Sequence, residues 1–158
     1  MKAILITLLT LLTFSSYSQF RNVTWGMTRE RVKQIENHVI EKNWPDELVY
    51  KIPVDDMECL LTYRFNKNKL VEASYIFIPI EIYNHDNIEK YVWSRTTKTL
   101  TEKYGKPVKV DENKQMIWDL SQFSIRALNL EKEDDYLNKG QKVSVTYYPP
   151  IKDQKSIL

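Results

Sequence analysis

Arg64 and Arg126 are the residues of this chain best suited by type to hold a ligand. A guanidinium is a planar fork of N–H donors that matches a carboxylate or a phosphate. Each sits on the polar side of a segment in which apolar and polar residues alternate. Arg64 belongs to residues 57–65, where Met57, Cys59, Leu61, Tyr63 and Phe65 point the other way. Arg126 belongs to residues 123–130. Lys51 and Glu72 hold the same kind of position in two further segments. If these segments pair into one sheet, Lys51, Thr62, Arg64, Glu72, Ser74, Arg126, Ser144 and Thr146 share a face. Arg64 and Arg126 then come from equivalent places in two halves of the chain. Such a face suits an anion or an acidic partner, and it equally suits plain solvation.

Other chemistry finds less support. Cys59 is the only cysteine, so an internal disulfide is excluded. Its alternation with Met57 and Leu61 places it in the core as a small hydrophobe. His38 and His85 lie far apart and show no zinc-ligand spacing. The run Glu131-Lys132-Glu133-Asp134-Asp135 lacks the alternating oxygen ligands and the glycine of a calcium loop, and reads as solvated. With only 3 Gly, no phosphate-cradling loop can be written. Ser74 and Ser121 have no nucleophile elbow or base partner. No pair of carboxylates stands out as an acid–base couple. No catalytic residue, metal ligand or cofactor is therefore assigned.

The elements that must position these residues begin at Trp25. Thr28 is an N-cap, with Met27 and Val32 at the spacing of a hydrophobic staple. Arg31 stands where Glu or Gln would complete a capping box. Val32, Ile35 and Val39 give the helix an apolar stripe. Residues 39–46 read as a connection, and Pro45 biases Trp44 toward an extended conformation. Strands follow at 47–52, 57–65 and 70–78, with a polar hairpin loop at 66–69. The third carries Val71, Ala73, Tyr75 and Phe77 inward. Asp86 or Asn87 caps a second helix that runs to about Tyr104, with Ile88, Val92, Leu100 and Tyr104 on one face. Gly105 and Pro107 end it. Strands at 114–120, 123–130 and 142–148 complete the plan, with a reversal at Ser121-Gln122.

This order predicts an α+β fold. Two α-β-β-β repeats, about 20–80 and 84–148, form one antiparallel sheet with the helices packed on one face. Residues 19–150 make a single domain, and 151–158 a flexible tail.

Met1-Lys2, the apolar run from Ala3 to Phe14 and the small residues Ser16 and Ser18 form a signal-peptide pattern, residues 1–18. The apolar run is too short to span a bilayer comfortably. No later segment is apolar enough, so no membrane span is expected after cleavage. The 158 residues carry 42% hydrophobic and 28% charged residues, which suits a globular domain. Cleavage removes one basic residue, Lys2, and no acid from a formal charge of +2. That near-balance gives no reason to expect nucleic acid. The sequon Asn22-Val23-Thr24 matters only in a host that glycosylates exported proteins.

The string Trp25-Gly26-Met27-Thr28, followed by Val32, resembles the helix start "Trp-Gly-Met-Ser/Thr, three residues, Val" of small exported bacterial proteins. These are the tandem-repeat β-lactamase-inhibitor-like domains and the BamE/SmpA-like envelope proteins, whose helices lie against a small antiparallel sheet. The helix end Lys103-Tyr104-Gly105-Lys106-Pro107 is similar too. Arg31 departs from the pattern. The resemblance covers one string, one helix end and the element order, and transfers no functional residue. It implies a soluble periplasmic or secreted protein- or ligand-binding module of the envelope. The partner is then an unknown protein or a small anionic ligand, in an unspecified oligomeric state. An inhibitor of an extracytoplasmic enzyme, or an enzyme with an unrecognised site, are the alternatives. Mass spectrometry of the exported protein is expected to give a chain beginning at Gln19; an N-terminus at Met1 refutes cleavage.

Overall fold

In the computed structural model, Thr28 starts helix α1 (Arg29–Ile35), and its hydroxyl oxygen accepts from the Arg31 N–H at 3.3 Å. Residues 20–55, 57–77, 85–111, 115–130 and 142–150 are described. The expected signal peptide, the acidic run and the tail lie outside them. Gly26 has φ +80°, a conformation that L side chains rarely adopt. That turn lets the Gly26 N–H donate to the Leu70 carbonyl, while the Leu70 N–H donates to Met27, both at 2.9 Å. The segment before α1 is thus pinned to the sheet. α1 stops at Ile35, so Val39, expected on its apolar stripe, is 84% exposed.

The strands are β1 (Ile40–Trp44), β2 (Glu47–Val54), β3 (Met57–Asn66) and β4 (Lys69–Phe77). After α2 (His85–Tyr104) come β5 (Lys109–Asp111), β6 (Gln115–Asp119), β7 (Ser124–Leu130) and β8 (Lys142–Tyr148). They form one 8-stranded sheet in the order β1-β2-β3-β4-β8-β7-β6-β5, with every pair antiparallel. The α+β class with one antiparallel sheet is as the alternation predicts.

Each helix is followed by four strands, where the alternation predicts three. The additions, β1 and β5, are the two edges. Four of the five β1 residues and all three of β5 are exposed. An edge strand with little to bury needs no apolar alternation, so the period-two signal is missing there. α2 begins at His85, one residue before the expected Asp86 cap. At its other end Gly105 has φ +82°, and its N–H donates to the Thr101 carbonyl at 2.9 Å. The Trp118 indole N–H then donates to the Gly105 carbonyl at 2.9 Å, joining the helix end to β6.

Lys67 and Asn68 both have positive φ, the pattern of a two-residue type I′ hairpin between β3 and β4. The register slips where Arg64 pairs with Glu72 but Phe65 pairs with Leu70. Val71 is the extra residue of a bulge. Leu70 is fully buried in consequence, and Val71, expected in the core, is only half-buried.

The core is one continuous cluster. It takes Leu48, Tyr50 and Ile52 from β2, Cys59, Leu61, Tyr63 and Phe65 from β3, and Val143, Val145 and Tyr147 from β8. Val32 of α1 and Val92, Trp93 and Leu100 of α2 join it. Phe20 lies at its centre, with ring centroids 5.8 Å from Tyr63, 5.2 Å from Tyr75 and 4.6 Å from Tyr147. Tyr147 continues to Phe123 at 5.9 Å, and Phe123 to Tyr104 at 5.7 Å. Rings from β3, β4, β8 and the end of α2 are thereby in contact through one side chain before α1.

An added Cβ at Gly105 meets nothing within 4 Å, so a substitution there costs only backbone strain. Gly105→Ala is expected to lower unfolding stability by about 1 kcal/mol, read as a shift in the urea midpoint at unchanged slope.

Candidate functional site

Cross-strand pairing shows which side chains share a face. Thr62 pairs with Ser74, Ser74 with Thr146, and Thr146 with Arg126. Lys51 pairs with Leu60, two residues from Thr62. Arg64, Glu72 and Ser144 are each two residues from a member of that row. All eight residues expected on the polar side therefore lie on the same face of the sheet, opposite the core cluster. The two arginines occupy neighbouring rows, each on the third strand of its run of four. Arg64 is in the row of Glu72, and Arg126 in the row of Ser74.

Arg64, Glu72 and Glu47 form one charged group. Glu47 pairs with Arg64 across β2 and β3, and Arg64 with Glu72 across β3 and β4. The Arg64 Nη1 lies 3.2 Å from Glu72 Oε1, and its Nη2 lies 3.5 Å from Glu47 Oε2. The Arg64 side chain is 53% exposed, against 17% for Glu47 and 19% for Glu72. The Arg64 side chain is thus the more open to solvent, with a more covered carboxylate on each neighbouring strand. Burial pushes the Glu72 carboxyl above its ordinary value; Arg64 and Arg126 pull the other way, and Glu47 adds to the rise. Arg126 lies over the Tyr148 ring at 5.7 Å. Trp44, which pairs with Glu47, is 49% exposed at the outer end of this row.

The same face carries small hydroxyls, two of which, Ser74 and Thr146, lie between the arginines beside Glu72 and Tyr148. Thr62, Ser74, Ser144 and Thr146 are only 6–7% exposed. Ser144 Oγ and Thr146 Oγ1 are 3.3 Å apart. Ser74 and Thr146 flank the β4–β8 seam at the middle of the sheet. Short side chains at the centre and long ones at the flanks make the face a shallow dish.

Lys51 stands apart from this group. Its Nζ pairs with Glu58 Oε1 at 3.0 Å. Both line an open cleft of about 480 Å³ with Ile52, Pro53, Asp55 and Met57, at the tip of the β2–β3 hairpin. Arg95 of α2 reaches that tip and pairs with Asp55 at 3.1 Å.

A second polar cluster lies among the core residues, and the apolar pattern gave no notice of it. Glu36, the C-cap of α1, has a side chain 3% exposed. The Arg21 Nε donates to its Oε1 at 2.9 Å and Nη2 to its Oε2 at 3.3 Å. The Tyr63 hydroxyl also donates to Oε1. Burial and the hydrogen bond to Glu36 hold that phenol far above its usual range, so it remains a donor. Arg21 Nη2 also lies 3.4 Å from His38 Nε2. One sign was present in the sequence: Glu36 follows Val32 by four residues and so shares its inward side of the helix.

Cys59 is fully buried, and burial pushes its thiol up to about 12, so a nucleophilic thiolate is not available there at neutral pH. Among the described residues, no group of three His, Cys, Asp or Glu is placed to hold a metal ion. None of the described helices is long and apolar enough to cross a membrane. No family model, curated protein or solved structure matches this chain.

Arg21→Ala leaves the Glu36 carboxylate buried without its cation, and is expected to cost about 3–4 kcal/mol of unfolding stability. Glu36→Gln keeps the shape and removes the charge, at about 1–2 kcal/mol. The order of the two in chemical denaturation checks the assignment; equal small losses overturn it.

Proposed function

We propose that this chain is an exported, non-catalytic binding module of the cell envelope, and that it docks a partner protein on the polar face of its sheet. The observation that carries this reading is the hydroxyl floor. Four small polar side chains are nearly out of water on a face where Arg64 and Arg126 stand exposed. A plain solvated face leaves such groups open. Here the four residues are already 6–7% exposed, so a partner that covers them has little water left to displace. Trp44 and Tyr148 flank the charged row, and aromatic residues and arginine are the types enriched at protein interfaces.

The architecture supports the same reading. The two runs of four strands meet symmetrically at β4 and β8, as a duplicated helix-plus-sheet unit requires. The buried residues of both helices join the core cluster, which lies on the opposite side from the arginines. We therefore read the fold as a tandem repeat with its helices on one side and the other left for a partner. That is the plan implied by the resemblance to β-lactamase-inhibitor-like and BamE/SmpA-like proteins. Export rests on the pattern in residues 1–18. Phe20, close after the expected cut, is a core residue, so a chain beginning at Gln19 keeps the ring at the centre of the core.

The test fills the floor. Ser74→Tyr and Thr146→Tyr together raise bulk at the seam with a residue type that strands accept. The wild-type chain is expected to recover one partner reproducibly and saturably from the native envelope fraction. The doubly substituted chain, with an unchanged circular dichroism spectrum, is expected to lose at least tenfold of that binding. Recovery of no partner, or of one indifferent to the filled floor, overturns the reading.

A further inference from the structure

We propose, building on that docking surface, that the partner presents an extended acidic segment laid across β4 and β8, with one carboxylate on Arg64 and a second on Arg126. The layering of charge on this face carries the proposal. The carboxylates paired with Arg64 are the more covered: the Glu47 and Glu72 side chains are 17% and 19% exposed, on either side of an Arg64 side chain that is 53% exposed. Arg126 is exposed on the other side of the seam, with its guanidinium over Tyr148. An approaching surface therefore meets two exposed cations, with Ser74, Thr146, Tyr148 and the more covered Glu72 between them. The charge complementary to that arrangement is negative.

The spacing narrows the partner further. β3 and β7 are separated by β4 and β8, and the two arginines sit one row apart, so their Cα atoms are about 16 Å apart at roughly 4.8 Å per strand and 3.3 Å per residue, a gap their long side chains shorten. An extended chain advances about 3.3 Å per residue, so carboxylates four residues apart span that distance. Ser74 and Thr146 line the path between the arginines, beside Glu72 and Tyr148, and offer hydroxyls to the backbone of such a segment.

Glu72 is the chain's own occupant of the first position. Its Oε1 already meets Arg64 at 3.2 Å, and Arg126 also acts on it. A carboxylate from outside must take Arg64 from Glu72, so Glu72 competes with the partner. Removing its charge must then strengthen binding. A site in which Glu72 merely supports the sheet gives the opposite sign.

The probe is acetylated hexaglutamate, titrated into the mature chain at low salt and followed by amide chemical shifts. Acetylated hexaglutamine and inorganic phosphate are the controls. Hexaglutamate is expected to bind saturably, with shifts concentrated on β3, β4, β7 and β8. Affinity is expected to fall at least tenfold in Arg64→Gln/Arg126→Gln and to rise severalfold in Glu72→Gln. Binding of hexaglutamine as tight as that of hexaglutamate overturns the proposal. So does phosphate binding with the same arginine dependence, indifference to the double substitution, or weakening by Glu72→Gln. The native partner separates this failure from that of the docking surface. A partner lost on filling the floor but retained by Arg64→Gln/Arg126→Gln leaves the docking face standing and removes the acidic segment.

Discussion

One carboxylate almost wholly out of water governs how this chain closes. Glu36 sits at the end of α1 with a side chain 3% exposed. Desolvating such a group costs several kcal/mol unless a cation and further donors meet it. The cation is Arg21, from the segment before α1, and it binds both carboxylate oxygens. The third donor is Tyr63, from the middle of β3. Three separate parts of the chain must therefore converge on Glu36 together. Arg21 adopts φ 52°, and the short Phe20–Val23 bridge folds this segment back on itself. Phe20 and Val23 are then both buried, one on each side of the turn. The ion pair brings Phe20 to the one place where a single ring touches Tyr63, Tyr75 and Tyr147. Those three residues belong to β3, β4 and β8, the strands on either side of the central seam. The closure of the N-terminal segment and the joining of the two strand runs are thus one event.

The two faces of the sheet solve the same packing problem differently. On the core face large rings fill the space over the seam, and Phe20 is the piece that completes them. On the polar face small hydroxyls occupy the seam, and long charged side chains stand on the flanks. The bulge at Val71 links the two outcomes. By admitting one extra residue, it turns Leu70 into the core while keeping Glu72 opposite Arg64. Without it, one of the two placements is lost, because a one-residue slip exchanges the faces.

Much of this was legible in the residues, and what was not has a physical reason. Six strands announce themselves by alternation because each has one buried face. Register follows from that alternation, which is why Arg64, Arg126, Glu72 and Lys51 could be assigned to one side before any pairing was known. β1 and β5 bury too little to leave a pattern. The bulge breaks a period of two at one residue, and no composition signal marks Val71. The grouping within the face was also hidden. Glu47 was not among the expected residues, although it completes the pairing of Arg64. Lys51 was, yet it turns away to Glu58. Glu36 was the deepest omission. With the apolar stripe read as far as Val39, Glu36 falls inside the helix with no visible partner, and only the approach of Arg21 from 15 residues away makes its burial tolerable.

The cross-strand pairs on the polar face do more than neutralise charge. Two largely covered carboxylates share the one Arg64 guanidinium, so the group is a small network rather than a lone exposed pair. The two carboxylates come from strands on either side of β3, and together they fix the guanidinium between them. A side chain already held in position loses less rotamer freedom when a partner arrives, and that saving goes into affinity. Tyr148 supports Arg126 in the same way from below. On the proposed docking face the same geometry would favour an anion over a cation. Another cation meets Arg64 and Arg126 before it can reach Glu47 or Glu72, while an anion meets no such barrier.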